Sequence, residues 1–232
     1  VFGFYGMADM EVLPKLRAIY GLRVEQVKMY YTGQNNLGDV VYDDELTLDE
    51  LDLLPSTNLV FGVKENMNIR ASYNRTLARP TFTEKSIAQV FDPISGRTRL
   101  GNIDLDETHV DNFDLRWENF FTPNELISIS FFYKKFDGHI ELTSLRTAPD
   151  NLKPRNAGSS SILGAEIEFR KNLEFISPRF ENFSFGTNVS VVESKIDLKS
   201  VIVDESGTTE YELRAANLRE GEALKDTRDM AG

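Results

Sequence analysis

Two arginines at the end of a predicted strand are the residues whose type and spacing best suit the binding of an anion. Arg75 and Arg79 flank the exit from the strand at residues 68–73 into a long loop. A guanidinium presents a planar fork of N–H donors that matches carboxylates, phosphates and ferric chelates. The alternative is that both arginines pair with carboxylates of the loops or strands. Asn112 and Arg116, on the polar side of a later predicted strand, complete the predicted ligand-binding set.

A pair of glutamates suggests hydrolytic chemistry. Glu166 and Glu168 share one face of a predicted strand, as the acid and base of a glycosidase could. We favour a structural interpretation, in which both line a polar strand face. The sequence contains neither a serine nucleophile elbow nor a glycine-rich phosphate loop. We therefore expect no catalytic residues and no cofactor.

Residues that could bind a metal are widely spread. The chain has no cysteine, which excludes disulfides and thiolate ligands. His109 and His139 lie far apart without the spacing of a metal site, so we expect surface or interface roles for them. The acidic stretch from Asp39 to Asp52 lacks the regular spacing of a calcium loop, and we interpret it as solvated charge. No metal site is predicted.

The positions of these side chains depend on four predicted β-hairpins. Apolar and polar residues alternate through eight segments, which is typical of strands with two different faces. The segments pair as residues 2–12 with 16–28, 58–63 with 68–73, 110–120 with 126–135, and 163–170 with 183–192. In the fifth segment Phe113, Leu115 and Trp117 share one face, whereas Asn112 and Arg116 share the other.

Short turns alternate with long polar connections along the chain. The turns lie at residues 14–15, 64–67 and 122–125, and the connections cover residues 32–57, 74–109 and 136–161. Helical leucine spacing favours a short surface helix at residues 47–54, and a β-bulge is expected near residues 25–27. Aromatic residues near the strand ends suit membrane interfaces. They are Tyr30, Tyr31, Tyr73, Trp117, Phe120, Phe121 and Tyr133.

This pattern predicts an all-β fold, an antiparallel up-and-down meander that forms part of an outer-membrane β-barrel. Apolar side chains would face lipid and polar side chains would face a wet lumen. The 232 residues are 41% hydrophobic with a mean hydropathy of -0.33, as expected when only every second strand residue meets lipid. No stretch approaches the roughly 20 apolar residues of a spanning helix. A net charge of -11 argues against nucleic acid as a partner.

Several strings resemble, in the expected order, the barrel of TonB-dependent outer-membrane receptors. They are YGLRVE at residues 20–25, LPSTNL at 54–59, NIRASYNRTLARP at 68–80, DNFDLRWE at 111–118, ELIS at 125–128, FYKKF at 132–136 and LGAEIE at 163–168. The third string is most similar to members from Bacteroidetes-type bacteria. The resemblance covers nearly the whole chain.

The resemblance implies a barrel of about 22 strands that is plugged by an N-terminal domain. Residues 1–232 would form a partial barrel domain of about eight strands. The plug domain, the C-terminal strands and the segment that engages the TonB energy-coupling complex would lie elsewhere in the protein. The parent receptor would sit in the outer membrane of a Gram-negative cell, in contact with its lipid. It would take up a scarce nutrient such as a ferric siderophore, haem or an oligosaccharide.

The alternative is a soluble antiparallel β-domain that acts as a secreted or surface carbohydrate-binding module. The two hypotheses differ in which strand face is buried. A soluble sandwich would pack Phe113, Leu115 and Trp117 against a second sheet. A barrel wall would leave these side chains facing outward.

Overall fold

A computed structural model describes residues 1–145 and 148–196, together with the backbone of three short strands between residues 201 and 214. The strands are β1 (Phe2–Leu13), β2 (Leu16–Gln34), β3 (Val41–Lys64), β4 (Met67–Ala78), β5 (Gln89–Asp92), β6 (Arg97–Leu100), β7 (Thr108–Thr122), β8 (Glu125–Asp137), β9 (Ile140–Leu145), β10 (Ala148–Asn156), β11 (Ser159–Asn172), β12 (Ser184–Ile196), β13 (Val201–Val203), β14 (Thr209–Tyr211) and β15 (Leu213–Arg214). Two 3-10 helices, Leu173–Phe175 and Pro178–Phe180, connect β11 to β12. Across the described residues, no helix is long and apolar enough to cross a membrane.

Eight of the strands form one antiparallel sheet in the order β1-β2-β3-β4-β7-β8-β11-β12. Strands that are consecutive in the sheet run in opposite directions throughout. All four predicted hairpins are present, as β1–β2, β3–β4, β7–β8 and β11–β12. The first three close through two-residue turns at Pro14-Lys15, Glu65-Asn66 and Pro123-Asn124. The predicted all-β up-and-down meander is therefore confirmed.

The sheet has one apolar face and one polar face because side chains alternate along each strand. The register aligns a single apolar row across six strands, which consists of Leu59, Ala71, Leu115, Phe131, Ala165 and Val191. Leu115 is 49% exposed and Phe131 is 53% exposed, so no second layer covers this face in the described structure. A soluble sandwich would bury these side chains. That alternative is therefore wrong, and the apolar face is the one that a barrel turns toward lipid.

Strands β2 and β3 extend far beyond the predicted hairpins. Residues 47–54, predicted as a surface helix, lie inside β3 and pair with β2 from Arg23 to Met29. The leucine spacing fits a helix, but the ladder with β2 satisfies the backbone of both strands. Lys28 Nζ also donates to Asp49 Oδ2 across the pair at 2.8 Å. The predicted bulge at residues 25–27 is absent, and register shifts occur at Met29/Tyr30 and Tyr31/Gly33 instead.

The long connections also contain strands that the sequence did not reveal. Strands β5, β6, β9, β10 and β15 form a second sheet in the order β15-β9-β10-β6-β5. Strand β6 pairs in parallel with β10 through Thr98 and Asn151, which are distant in the sequence. Strands of four residues are too short to show a clear alternation. Strand β5 pairs with β6 of the same connection, and β6 also pairs with β10 of the next connection.

Residues 79–107, here called the covering segment, pack closely on themselves and against β2. A Cβ atom at Gly101 would lie 1.5 Å from the carbonyl oxygen of Ser86, so only glycine fits at this position. The hydroxyl of Tyr31 on β2 accepts a hydrogen bond from the backbone N–H of Ile87 at 3.3 Å. Tyr31, predicted for the aromatic belt, thus anchors the covering segment. Tyr73 and Tyr133, also predicted for the belt, form an aromatic series with Phe113 on the apolar face, with centroids 4.9 and 6.3 Å apart.

Two neighbouring residues of β4 test the orientation of the sheet. Ala71 lies in the apolar row, whereas the hydroxyl of Ser72 donates to Asp114 Oδ2 on the polar face at 3.1 Å. An arginine that faces lipid near mid-bilayer costs about 2–4 kcal/mol. We expect Ala71→Arg to lower the free energy of unfolding by about that amount, measured by urea titration of the full-length protein in lipid vesicles. The matched Ser72→Arg variant should change it by less than about 1 kcal/mol, and equal losses would contradict the orientation.

Candidate functional site: a buried ion-pair cluster and two cavities

A buried lysine ties the covering segment to the wall of the sheet. Lys85 Nζ donates to the carbonyl oxygens of Leu105 at 2.6 Å and Thr47 at 2.9 Å. Burial lowers the pKa of Lys85 from its ordinary value, because it disfavours the charged amine. Leu105 itself is fully buried. This contact therefore fixes the covering segment against β3, which carries Thr47.

Arg79 is the centre of an ion-pair cluster at the start of the covering segment. Its Nη2 lies 2.7 Å from Glu25 Oε2, and its Nε lies 2.7 Å from Glu107 Oε1. Asp52 is farther away, with Oδ2 at 3.9 Å from the same Nη2. The Nε2 atom of His109 lies 2.6 Å from Asp52 Oδ1. Four parts of the chain, β2, β3, the covering segment and β7, thus meet in one cluster.

The two central carboxylates of this cluster are almost completely buried. The side chain of Glu107 is 1% exposed and that of Asp52 is 5% exposed. Burial and the neighbouring Asp52 carboxylate together raise the pKa of Glu107 to about 7, against the opposing effect of Arg79. Glu107 Oε2 and Asp52 Oδ2 have no hydrogen-bond partner among the described residues. The cluster therefore holds more carboxylates than the one guanidinium of Arg79, which contacts all three of them, can compensate.

The four residues predicted to bind a ligand do not converge on one site. Arg79 lies in the buried cluster. Arg75 lies on the same face of β4 as Tyr73, and its Nε is 3.6 Å from Asp111 Oδ1. Asn112 lies on the polar face and donates to the side-chain oxygen of Asn74 at 3.1 Å. All of these contacts are with other residues of the protein. Arg75 and Arg79 both pair with carboxylates, as the alternative interpretation of these arginines expects.

Arg116 belongs to a separate network on the polar face. Its Nη2 lies 3.1 Å from Glu168 Oε2, and its Nε lies 3.2 Å from Glu118 Oε2. Arg70 contacts the other oxygen of Glu118 at 2.6 Å. Glu166, the second glutamate of the suggested glycosidase pair, accepts a hydrogen bond from Ser190 at 3.3 Å. These contacts support the structural interpretation of the two glutamates as polar lining of the wall.

Two cavities adjoin the cluster and the covering segment. The first, which we call the groove, has a volume of about 710 Å³ and is lined by Tyr5, Arg23, Glu25, Leu54, Pro55, Ser56, Asn58, Asn74, Arg75, Thr76, Leu77 and Arg79. The second, the loop cavity, has a volume of about 590 Å³ and is lined by Tyr31, Phe82, Thr83, Glu84, Ser86, Ala88, Val90, Arg99, Leu100, Gly101, Leu142 and Pro154. Two of the predicted residues, Arg75 and Arg79, therefore line the groove.

Four residues of the cluster are not among the predicted ligand-binding residues, namely Glu25, Asp52, Glu107 and His109. Asp52 was placed in a stretch of solvated charge, and this interpretation is wrong for Asp52 because the covering segment buries it. Glu107 and His109 are two residues apart in extended chain, a spacing that was visible in the sequence. Their partner Asp52 is more than fifty residues away, on another strand. His139 is separate from this group, with its Nε2 3.7 Å from Glu141 Oε2.

Substituting Arg79 tests whether the cluster holds the covering segment. Removing one partner of a buried ion pair typically costs about 3 kcal/mol, because the remaining charge is left without compensation. We expect Arg79→Met to lower the free energy of unfolding of the full-length protein in lipid vesicles by about that amount. The matched control is Arg75→Met, whose side chain is 39% exposed against 24% for Arg79. This control should lose less than about 1 kcal/mol, and a similar loss in both variants would refute the special role of Arg79.

Comparisons with known proteins agree with this architecture. The siderophore receptor PirA from Pseudomonas aeruginosa is 19% identical with a TM-score of 0.61, over 83% of this chain and 31% of that chain. The FrpB iron transporter from Neisseria meningitidis is 15% identical with a TM-score of 0.54, over 84% and 25% of the two chains. The copper transporter OprC is 16% identical with a TM-score of 0.59, over 84% and 29%. These similarities show the fold, and the chain spans a quarter to a third of the length of each structure.

No curated protein matches the chain. The family model described as "TonB dependent receptor-like, beta-barrel" matches residues 1–224 of the 232. This match covers all three sheets of the described structure and the whole buried cluster. The chain therefore belongs to the TonB-dependent receptor-like β-barrel family.

Proposed function

We propose that this chain is part of the wall of an outer-membrane receptor that takes up a ferric siderophore or a similar organic metal chelate. The observation that carries the proposal is the loop cavity of about 590 Å³, which is built by the long connections at the end of the sheet opposite the tight turns. In outer-membrane barrels the longer loops lie on the extracellular side. A ligand that arrives from outside the cell would meet this cavity first.

The lining of the loop cavity suits an organic anion with flat apolar groups. Tyr31, Phe82 and Leu142 supply apolar surface. Phe82 is largely exposed, which suits a side chain that waits for a ligand rather than one that packs in a core. Arg99 is the one cation among the described residues that line the cavity. A guanidinium beside aromatic rings can bind an anionic chelate by charge and by stacking.

The predicted ligand-binding residues take a second role in this proposal. Arg79 would hold the covering segment, and with it the loop cavity, against the sheet through its ion pairs with Glu25 and Glu107, and Arg75 would pair with Asp111. Asn112 and Arg116 would contribute polar lining to the lumen wall. The siderophore receptor and the iron transporter to which this chain is similar are named for comparable cargo. We favour a metal chelate over haem or an oligosaccharide on this basis.

Uptake through such a barrel requires no covalent chemistry, so we propose no enzymatic activity for the chain. The proposal places the plug domain and the remaining barrel strands outside residues 1–232. The partners would be the TonB energy-coupling complex, outer-membrane lipid and the chelate itself, in a Gram-negative cell. An origin in a Bacteroidetes-type bacterium stays a prediction.

Iron uptake by the full-length receptor tests this function. Cells that lack their other siderophore receptors would be supplied with radiolabelled iron as a catecholate or a hydroxamate chelate. We expect uptake of at least one chelate, and its loss when the energy-coupling protein is deleted. Arg99→Ala should reduce that uptake about tenfold, as expected for the loss of an ion pair with a bound ligand.

The matched control is Arg97→Ala, on the same strand but outside the cavity lining. This variant should transport at the rate of the unchanged receptor. Failure of every chelate to enter in a coupling-dependent way would overturn the proposed function. Equal uptake by Arg99→Ala and Arg97→Ala would overturn the proposal that the ligand binds in the loop cavity.

A further inference from the structure

Three potential metal ligands meet inside the buried cluster. One carboxylate oxygen each from Asp52 and Glu107 and a ring nitrogen of His109 all lie within 4.8 Å of one another. They come from β3, from the end of the covering segment and from β7. We propose that Asp52, Glu107 and His109 bind one divalent first-row transition metal ion. The proposal departs from the sequence-based expectation of no metal site.

The charge of the cluster supports a further cation. Glu25, Asp52 and Glu107 are all buried, and Arg79 is the guanidinium that contacts all three. Arg23 also contacts Glu25, but the side chain of Arg23 is half exposed. Buried charges in proteins are usually paired or coordinate a metal. A divalent ion between Asp52 and Glu107 would supply the compensation that Arg79 alone does not.

The contacts within the cluster leave one oxygen atom each of Glu107 and Asp52 without a hydrogen bond to any described residue, and these two atoms are available to a metal. Arg79 binds Oε1 of Glu107, and His109 contacts Oδ1 of Asp52. The other oxygens, Glu107 Oε2 and Asp52 Oδ2, are buried and have no hydrogen-bond partner among the residues described. Two unsatisfied carboxylate oxygens that share one small volume are costly unless a proton or a metal joins them. Arg79 would then orient Glu107 from the outer side, as such partners do at metal sites.

The ligand set selects the class of ion. One imidazole nitrogen with two carboxylate oxygens suits zinc, manganese or ferrous iron, whereas calcium and magnesium prefer oxygen ligands alone. Three protein ligands leave an open position for water or a further ligand. The side chain of His109 is 31% exposed, and the groove lined by Glu25 and Arg79 adjoins the cluster, so an ion has a path to the site.

A bound ion would link the covering segment to the wall of the sheet. Asp52 lies in β3, whereas Glu107 ends the segment that covers β3. The link would act beside the contact of Lys85 with the carbonyl oxygen of Thr47. The metal site therefore has a structural consequence that is separate from the capture of a ligand in the loop cavity.

Zinc binding to the full-length receptor tests the proposal. The protein would be purified in detergent, stripped of metal with a chelator and titrated with Zn²⁺ by calorimetry. We expect one saturable site per chain, with no comparable binding of Ca²⁺ or Mg²⁺. His109→Gln and Glu107→Gln should each weaken Zn²⁺ binding at least about tenfold. The matched control is His139→Gln, which replaces the second of the two histidines in the chain and should bind like the unchanged protein.

Three results would overturn the proposal: no saturable Zn²⁺ binding, unchanged binding in His109→Gln, or equal binding of Ca²⁺. Each variant would first be shown to be folded, by its resistance to unfolding in detergent when the sample has not been heated. If His109→Gln does not fold, Co²⁺ added to the unchanged protein provides the second test. Visible absorption bands of Co²⁺ in a nitrogen and oxygen site, displaced by Zn²⁺, would support the assignment, and a spectrum of hydrated Co²⁺ would refute it.

Discussion

The alternation of side chains across one continuous antiparallel register is the constraint on which the rest of this structure depends. Within a bilayer, backbone polar groups must be satisfied by the sheet itself. Each strand must therefore stay in register with its neighbours, and every second residue must tolerate lipid. The row from Leu59 to Val191 meets this requirement across six strands. The same register forces the intervening polar residues, among them Arg116 and Glu168, onto the opposite face.

The polar face can accommodate charges because they compensate one another. Arg70 and Arg116 pair with Glu118, and Arg116 also reaches Glu168. Glu118 is itself buried, but two guanidinium groups compensate its single negative charge. The cluster around Arg79 differs because three carboxylates, all buried by the fold, outnumber the one guanidinium of the described structure that contacts all of them. Because these carboxylates are buried, the balance of charge within the cluster determines how stable it is. The same contacts hold the covering segment, which forms much of the loop cavity, in place.

The sequence predicts the meander well because its signal is local. Phe113, Leu115 and Trp117 alternate with polar residues, and a hairpin pairs segments that are neighbours in the chain. The prediction is wrong for residues 47–54, where leucine spacing suits a helix but the ladder with β2 prevails. It also misses β5, β6, β9 and β10, because β5 and β6 have only four residues each and the sheet that they share with β9 and β10 depends on the distant pairing of β6 with β10. The sequence shows which residues suit anion binding, but it does not show which of them lie close together.

The sequence by itself determined which side chains share a strand face, and therefore that one face of the sheet is apolar and the other polar. That information lies in a period of two residues and needs no distant partner. Only the tertiary structure decided that Asp52, Glu107 and His109 meet, and that Arg79 contacts three buried carboxylates while Arg75 pairs with Asp111. The reason is that these contacts depend on how the covering segment folds back over β2 and β3. Neither local spacing nor composition encodes that path.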